Sequence, residues 1–131
     1  MSRSVFQRQH RVTYSECTIG NHIYYARYLD LLEEARGEFF RHRGKTFRQW
    51  QEQDTIFPVI ETHLRYKTPA RYDDVLTIEV RIIRAQGVRL NFDYRITNQS
   101  GELVLEGETF HACTTIAGKP KALPAALLQP A

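Results

Sequence analysis

The chain predicts an α+β domain in which an antiparallel sheet of about five strands wraps around one long central helix. Three observations carry this. Tyr24, Tyr28, Leu31, Leu32, Ala35 and Phe39 recur at steps of three and four, which sets them on one face of a helix from about Ile23 to Arg43. After Ile56 the apolar period changes from helical to two, and the runs are separated by short turns that force antiparallel pairing. A helix of that length is roughly 30 Å long, and its apolar stripe needs a broad surface to lie on.

Taken in order, Val5–Tyr14 reads as a first strand that stops at the polar Ser15-Glu16. The segment Tyr14–Asn21 is polar and contains Gly20 and Asn21, so it reads as a loop. The long helix follows, with Gly44 placed to end it in a left-handed cap and Arg41, His42, Arg43 and Lys45 suited to its negative end. Phe47 and Trp50 anchor a short helix or turn over Thr46–Asp54. Ile56–Tyr66 reads as a strand with Pro58 near its start, where proline is tolerated. Leu76, Ile78, Val80 and Ile82 alternate with polar residues, as do Leu90, Phe92, Tyr94 and Ile96. Ala85-Gln86-Gly87 joins those two runs, and Asn98–Gly101 leads to a last strand over Glu102–Thr115. Residues 1–131 read as a single domain whose last residues, about 12 of them, form a loose tail.

Hydrophobic content of 42% and charged content of 25% are those of a globular protein. No apolar run approaches the roughly 20 residues of a membrane span. The N-terminal stretch has no apolar region of the kind a secretory signal needs, so a cytoplasmic location is expected. Cys17 and Cys113 then read as free thiols. Net charge is +3, which is compatible with an anionic ligand. No basic stripe interleaved with aromatics points to nucleic acid. No Cys or His pair has zinc spacing, and no metal is expected.

The order of elements, with Tyr14, Glu16-Cys17-Thr18-Ile19-Gly20, Tyr24-Tyr25, Tyr28-Leu29 and Glu33-Glu34-Ala35-Arg36, resembles the hotdog-fold thioesterases, in particular the 4-hydroxybenzoyl-CoA thioesterase and YbgC-like branch. The passage Tyr66–Asp74, with its Pro-Ala-Arg-x-Asp-Asp core, adds to the likeness. The resemblance implies hydrolysis of an acyl-CoA or acyl-carrier-protein thioester, with no redox cofactor and coenzyme A entering as part of the substrate. It also implies a site between two subunits, hence a homodimer or a homotetramer. The family's catalytic Asp falls on Thr18, and a histidine of YbgC-like members falls on Tyr25. His22 matches the histidine of a different hotdog subset. An arginine matching Arg36 is implicated in enediyne-type relatives that also lack the Asp.

Thioester hydrolysis needs a polarised carbonyl, an activated water and a seat for the thiol-bearing arm. Free amides at the helix start can supply the first, and those of Tyr24 and Tyr25 are the expected donors. For the water, Glu16 is the nearest loop carboxylate, His22 is a base suited to neutral pH, and Thr18 can hold a water by its hydroxyl. Each has a plain alternative: Glu16 a loop acid or arginine partner, His22 a residue near the helix cap, Thr18 a turn former. Arg36 is either part of the site or half of an ion pair with Glu33. Lys67, Arg84 and Arg89 are candidates for the phosphates of the arm, or ordinary charges at a sheet edge. Tyr14 either lines the acyl pocket or packs. His63 and His111 read as satisfied strand residues. A protein that binds an acyl thioester or carrier protein without cleaving it is the alternative, motivated by Thr18; hydratase or dehydratase chemistry on the same fold is a third reading.

Overall fold

Period-two alternation becomes a single sheet in the computed structural model, which describes residues 5–128. Its strands are β1 (Phe6–Arg11), β2 (Val59–Tyr66), β3 (Val75–Gln86), β4 (Arg89–Thr97) and β5 (Leu103–Ala112), and its helices α1 (Arg27–His42) and α2 (Phe47–Glu52). The order across the sheet is β1-β3-β4-β5-β2, with every neighbouring pair antiparallel. The hairpin between β3 and β4 turns at Gly87, whose φ of +62° favours glycine.

One face of the sheet is apolar because β3 and β4 turn Leu76, Ile78, Val80, Leu90, Phe92 and Ile96 the same way. Against it α1 lays Tyr28, Leu31, Leu32, Ala35 and Phe39, all buried. The expected face of the helix is therefore the observed one, apart from Tyr24. That residue lies outside the helix because the chain before it is pinned. Cys17 and Ile23 form a bridge, and the Ile23 N–H donates to the Ala70 carbonyl at 2.9 Å. Ile23 is thereby held in extended backbone, and the helix begins only at Arg27. At the other end Arg43 caps α1 and Gly44 takes φ +107°, as the left-handed stop required. The short second helix opens on a capping box between Thr46 and Gln49.

Further expectations change. The strands expected over Ile56–Tyr66 and Glu102–Thr115 narrow to Val59–Tyr66 and Leu103–Ala112, because Ile56 and Thr114 meet only in an isolated bridge beyond them. The first strand is shorter than Val5–Tyr14, because Tyr14–Glu16 turns into a short 3-10 helix capped by Thr13. The tail is not loose as far as Leu128. Leu123 and Leu127 are buried, and the Leu123 N–H donates to the Gly87 carbonyl at 2.8 Å. Residues 129–131 lie outside the described part. Among the described residues no helix is long and apolar enough to cross a membrane.

β2 differs from the other strands. It is the edge opposite β1, and Val59, Ile60 and Tyr66 are all about half exposed (47%, 49% and 48%). An edge with apolar side chains and open backbone groups is a surface that another strand can complete.

Candidate active site

The Thr18–His22 loop is built by short-range hydrogen bonds. The Thr18 N–H donates to the His22 carbonyl at 2.8 Å, and the Asn21 N–H to the Thr18 carbonyl at 3.0 Å. Asn21 takes the left-handed conformation that this tight return needs, with φ 57°. The result sets the side chains of Thr18 and His22 side by side. Thr18 Oγ1 lies 3.5 Å from His22 Nε2, and His22 Nδ1 lies 3.2 Å from the Ile23 carbonyl oxygen. A carbonyl accepts only, so Nδ1 carries a proton and donates to it; in the neutral tautomer that this bond selects, Nε2 is the unprotonated nitrogen and faces Thr18. Gly20 sits beneath this pair. A Cβ there would come within 3.2 Å of the His22 ring, so a glycine leaves room for the imidazole.

The segment 70–72 clamps the loop from outside. Besides the bond to Ala70, Arg71 Nη1 donates to the Asn21 carbonyl and the Tyr72 N–H to Asn21 Oδ1, both at 3.3 Å. The Pro-Ala-Arg-x-Asp-Asp passage thus has a local physical role: it holds the loop that carries Thr18 and His22. Asn21, Gly20 and Arg71 were not singled out as site residues from sequence. The Gly-Asn pair before His22 was the available signal, since such a pair marks a tight turn.

Thr18, His22, Tyr24 and Tyr25 line one cleft of about 430 Å³, with Tyr28, Tyr66, Lys67 and Val104 among its other walls. Burial pushes the Tyr28 and Tyr66 phenols above their ordinary range, so both stay protonated. Tyr28 Oη accepts from the Ala70 N–H, and the Tyr66 O–H donates to the Tyr25 carbonyl, both at 3.4 Å. The expected pair of free amides shifts by one residue. The Tyr24 N–H is taken by the Glu16 carbonyl at 3.1 Å and is not open. The N–H groups of Tyr25 and Ala26 make no hydrogen bond among the described residues, and such groups at a helix start point outward from it.

Several other candidates lie elsewhere. Glu16 is buried and faces away from the cleft. It accepts from the Thr13 N–H at 2.8 Å and meets His10 Nε2 at 2.8 and 3.0 Å. Burial raises its pKa, but the bonds from Thr13 and His10 outweigh this and hold the carboxyl below its ordinary value. Such a carboxylate is a structural anchor and a poor base. Cys17, next to Thr18, is no nucleophile, since burial, then Glu16 and Asp74, push its thiol up. Tyr14 is 79% exposed and meets Tyr72 edge-on, outside the cleft. Arg36 forms no ion pair with Glu33; it is buried and donates to Tyr94 Oη at 3.0 Å, in a separate cavity. Arg84 and Arg89 are exposed at the hairpin end of the sheet, level with Phe110 and Ala112 of β5 respectively. Lys67 follows Tyr66, which pairs with Leu105 at the other end. Within one chain, then, only Lys67 of the three cations reaches the cleft. His63 is exposed and paired with Glu61, and His111 is satisfied on both ring nitrogens.

A five-stranded antiparallel sheet wrapped on one long helix is the hotdog arrangement. The crystal structure of a probable thioesterase from Bartonella henselae superposes with a TM-score of 0.87 at 29% identity, covering 92% of this chain and 100% of that one. A 1,4-dihydroxy-2-naphthoyl-CoA thioesterase from Synechocystis shares the fold at a TM-score of 0.86 and 21% identity, with 94% and 92% covered. The chain belongs to the thioesterase-like superfamily, whose sequence profile matches residues 12–130. The acyl-CoA thioester hydrolase YbgC of Escherichia coli is 32% identical over 129 residues, covering 98% of this chain and 96% of the relative. The acyl-CoA thioesterase YbgC of Haemophilus influenzae is 30% identical over 112 residues, covering 85% and 81%.

Proposed function

We propose that the protein hydrolyses acyl-CoA thioesters, and that Thr18 and His22 do the work of the missing aspartate. The observation that carries this is the pair itself: a histidine fixed by the Ile23 carbonyl, its free nitrogen 3.5 Å from a hydroxyl, both lining one cleft with Tyr25. A base oriented by a third group and facing a hydroxyl is the arrangement that activates oxygen nucleophiles, and it is commonly loose without substrate.

In this reading the thioester carbonyl oxygen rests on the Tyr25 and Ala26 N–H groups. One such donor is typically worth about 3 kcal/mol of barrier. Thr18 Oγ1 holds a water, and His22 Nε2 takes its proton as the oxygen attacks the carbonyl carbon. The tetrahedral oxyanion then collapses, the C–S bond breaks, and the imidazolium returns the proton to the departing thiolate. The products are a carboxylic acid and the free thiol of coenzyme A. Lys67 at the cleft supplies a cation for the phosphates of the arm.

The reading includes a homodimer joined through the β2 edge. A twofold pairing of β2 with itself sets the Val59 end of one strand beside the Tyr66 end of the other. That would carry the Arg84–Arg89 hairpin of the partner towards the cleft from which it is remote within one chain. It also includes a cytoplasmic location, supported by Cys17 and Cys113 both being free thiols.

The test is a panel of short, medium, long and aromatic acyl-CoAs, with released thiol measured against a no-enzyme background. Turnover on at least one is expected. No thiol above background on any of them, together with calorimetric binding of a non-hydrolysable acyl-CoA, would favour the non-catalytic alternative that the loss of the aspartate suggests. Acyl carrier proteins as thiol donors form a second arm of the same panel.

A further inference from the structure

Among the described residues Arg36 is a cation without a counter-charge, and it is only 7% exposed. Its one acceptor among them is the Tyr94 hydroxyl at 3.0 Å, and it forms no ion pair there. Tyr94 begins a row of hydrogen bonds across the inner face of the sheet. Tyr94 Oη meets Thr109 Oγ1, Thr109 Oγ1 lies 2.8 Å from His111 Nε2, and His111 Nδ1 lies 2.9 Å from the Phe57 carbonyl oxygen.

The direction of that row is fixed. The carbonyl at its end only accepts, so His111 Nδ1 carries a proton. Burial, and after it the nearby Arg36, hold His111 neutral with a pKa of about 4, against a partial opposing effect of the Phe57 bond, so Nε2 is an acceptor. Thr109 therefore donates to His111, Tyr94 donates to Thr109, and Arg36 donates to Tyr94. Every hydroxyl proton points away from Arg36. The row gives the guanidinium one neutral acceptor and no anion.

Arg36 borders a cavity of about 290 Å³, walled by Phe40, Phe57 and Phe92 and reached by His111. Glu33 also lines it, but that side chain belongs to an exposed residue and makes no ion pair with Arg36. None of the Arg36 nitrogens is sealed from solvent without a partner, so its free donors are reachable through this open cavity. A carboxylate, which accepts two parallel N–H bonds and brings the missing charge, is the group that best matches them.

We infer that this cavity binds a carboxylate against Arg36, and that in the substrate this carboxylate is the far end of the acyl group. The second half rests on the thioesterase reading and its β2 dimer. Val59 lines the Arg36 cavity and Tyr66 lines the thioester cleft, so pairing β2 with itself puts the cavity of one subunit next to the cleft of the other. The substrate class is then an ω-carboxyacyl thioester. A free short carboxylate is the other source of the same chemistry.

Calorimetric titration of the intact protein with glutarate and with its neutral dimethyl ester tests the site without any hydrolysis. Saturable binding of the diacid, at least tenfold tighter than the diester, is expected. Arg36→Met should weaken diacid binding at least tenfold and Arg36→Lys less, with circular dichroism reporting on folding. Equal binding of diacid and diester by the unaltered protein overturns the proposal, whatever the variants do. So does a folded Arg36→Met protein that binds the diacid like the wild type. The source is tested on the unaltered protein by kcat/KM for glutaryl-, adipoyl- and suberoyl-CoA against methyl-ended acyl-CoAs of equal length. A preference of tenfold or more for one carboxylated chain supports the acyl assignment. Diacid binding with equal hydrolysis of both series overturns that assignment and leaves a site for a free carboxylate. Diacid binding with no hydrolysis of any thioester upholds the site and counts against the thioesterase reading alone.

Discussion

Acidification from pH 7 to pH 4 is expected to remove about 3 kcal/mol of stability through His111 alone. This residue is 1% exposed, and its pKa falls from an ordinary 6.5 to about 4. Burial is the main cause, and Arg36 adds to it. In the unfolded chain the imidazole takes up a proton as pH drops below 6.5, while the folded chain refuses it until about 4. The unfolded state therefore binds more protons across that window, and stability is fully present above it and lost on the way down. A tenfold difference in proton affinity between the two states is worth about 1.4 kcal/mol, which sets the size of the loss. The assay is urea unfolding followed by fluorescence of Trp50, which is buried, at a series of pH values for the wild type and His111→Gln. Glu16 adds an acid-labile contribution of its own, because its lowered pKa makes its stabilisation fade as pH falls below the ordinary carboxylate range. That contribution is common to both proteins and cancels in the difference. His111→Gln should be less stable at neutral pH but flatter between pH 6.5 and pH 4. Parallel curves for the two proteins would refute the assignment of a neutral, buried His111.

Other perturbations follow from the same geometry. Gly20→Ala places a methyl within 3.2 Å of the His22 ring and should lower kcat by about tenfold, with a change in unfolding free energy under about 1 kcal/mol, measured by steady-state kinetics and urea unfolding. Lys67→Ala should raise KM for acyl-CoA more than it lowers kcat, and should reduce the salt dependence of KM, since an exposed cation on a phosphate acts through screened charge. Ile60→Glu should shift the protein from dimer to monomer in light scattering, because a charge would replace an exposed apolar side chain on the edge strand, and charged edge residues block strand pairing.

The fold was legible because its main signals are periodic. The stripe Tyr28–Leu31–Leu32–Ala35–Phe39 and the alternation of β3 and β4 each state which face is buried, and the structure buries those faces. The errors came where tertiary contacts override local pattern. Tyr24 fits the helical period, yet Ile23 is tied to Cys17 and Ala70, and the helix waits until Arg27. Leu123 and Leu127 look like a tail by composition but find a hollow in the core, which no local rule reports. The site was legible in part. Thr18 and His22 are four residues apart in a loop whose Gly and Asn make a return, so their meeting was implicit in the sequence. Glu16 is two residues from Thr18 and looked equally available. Only the three-dimensional contacts with His10 and Thr13 show that its carboxylate is occupied. The isolation of Arg36 was invisible for a similar reason. Glu33 sits at ion-pair spacing on the helix, and the burial of one residue and exposure of the other separate them.

In the proposed mechanism a threonine and a histidine replace a carboxylate in cleaving a thioester. The most direct measurement is kcat on the best acyl-CoA for the wild type, Thr18→Val, His22→Ala and Glu16→Gln, each checked for folding by its unfolding curve. Losses of about 100-fold or more for His22→Ala, a clear loss for Thr18→Val and a smaller one for Glu16→Gln are predicted. A folded His22→Ala enzyme that turns over like the wild type, or a Glu16→Gln enzyme that loses more than it does, would contradict the account.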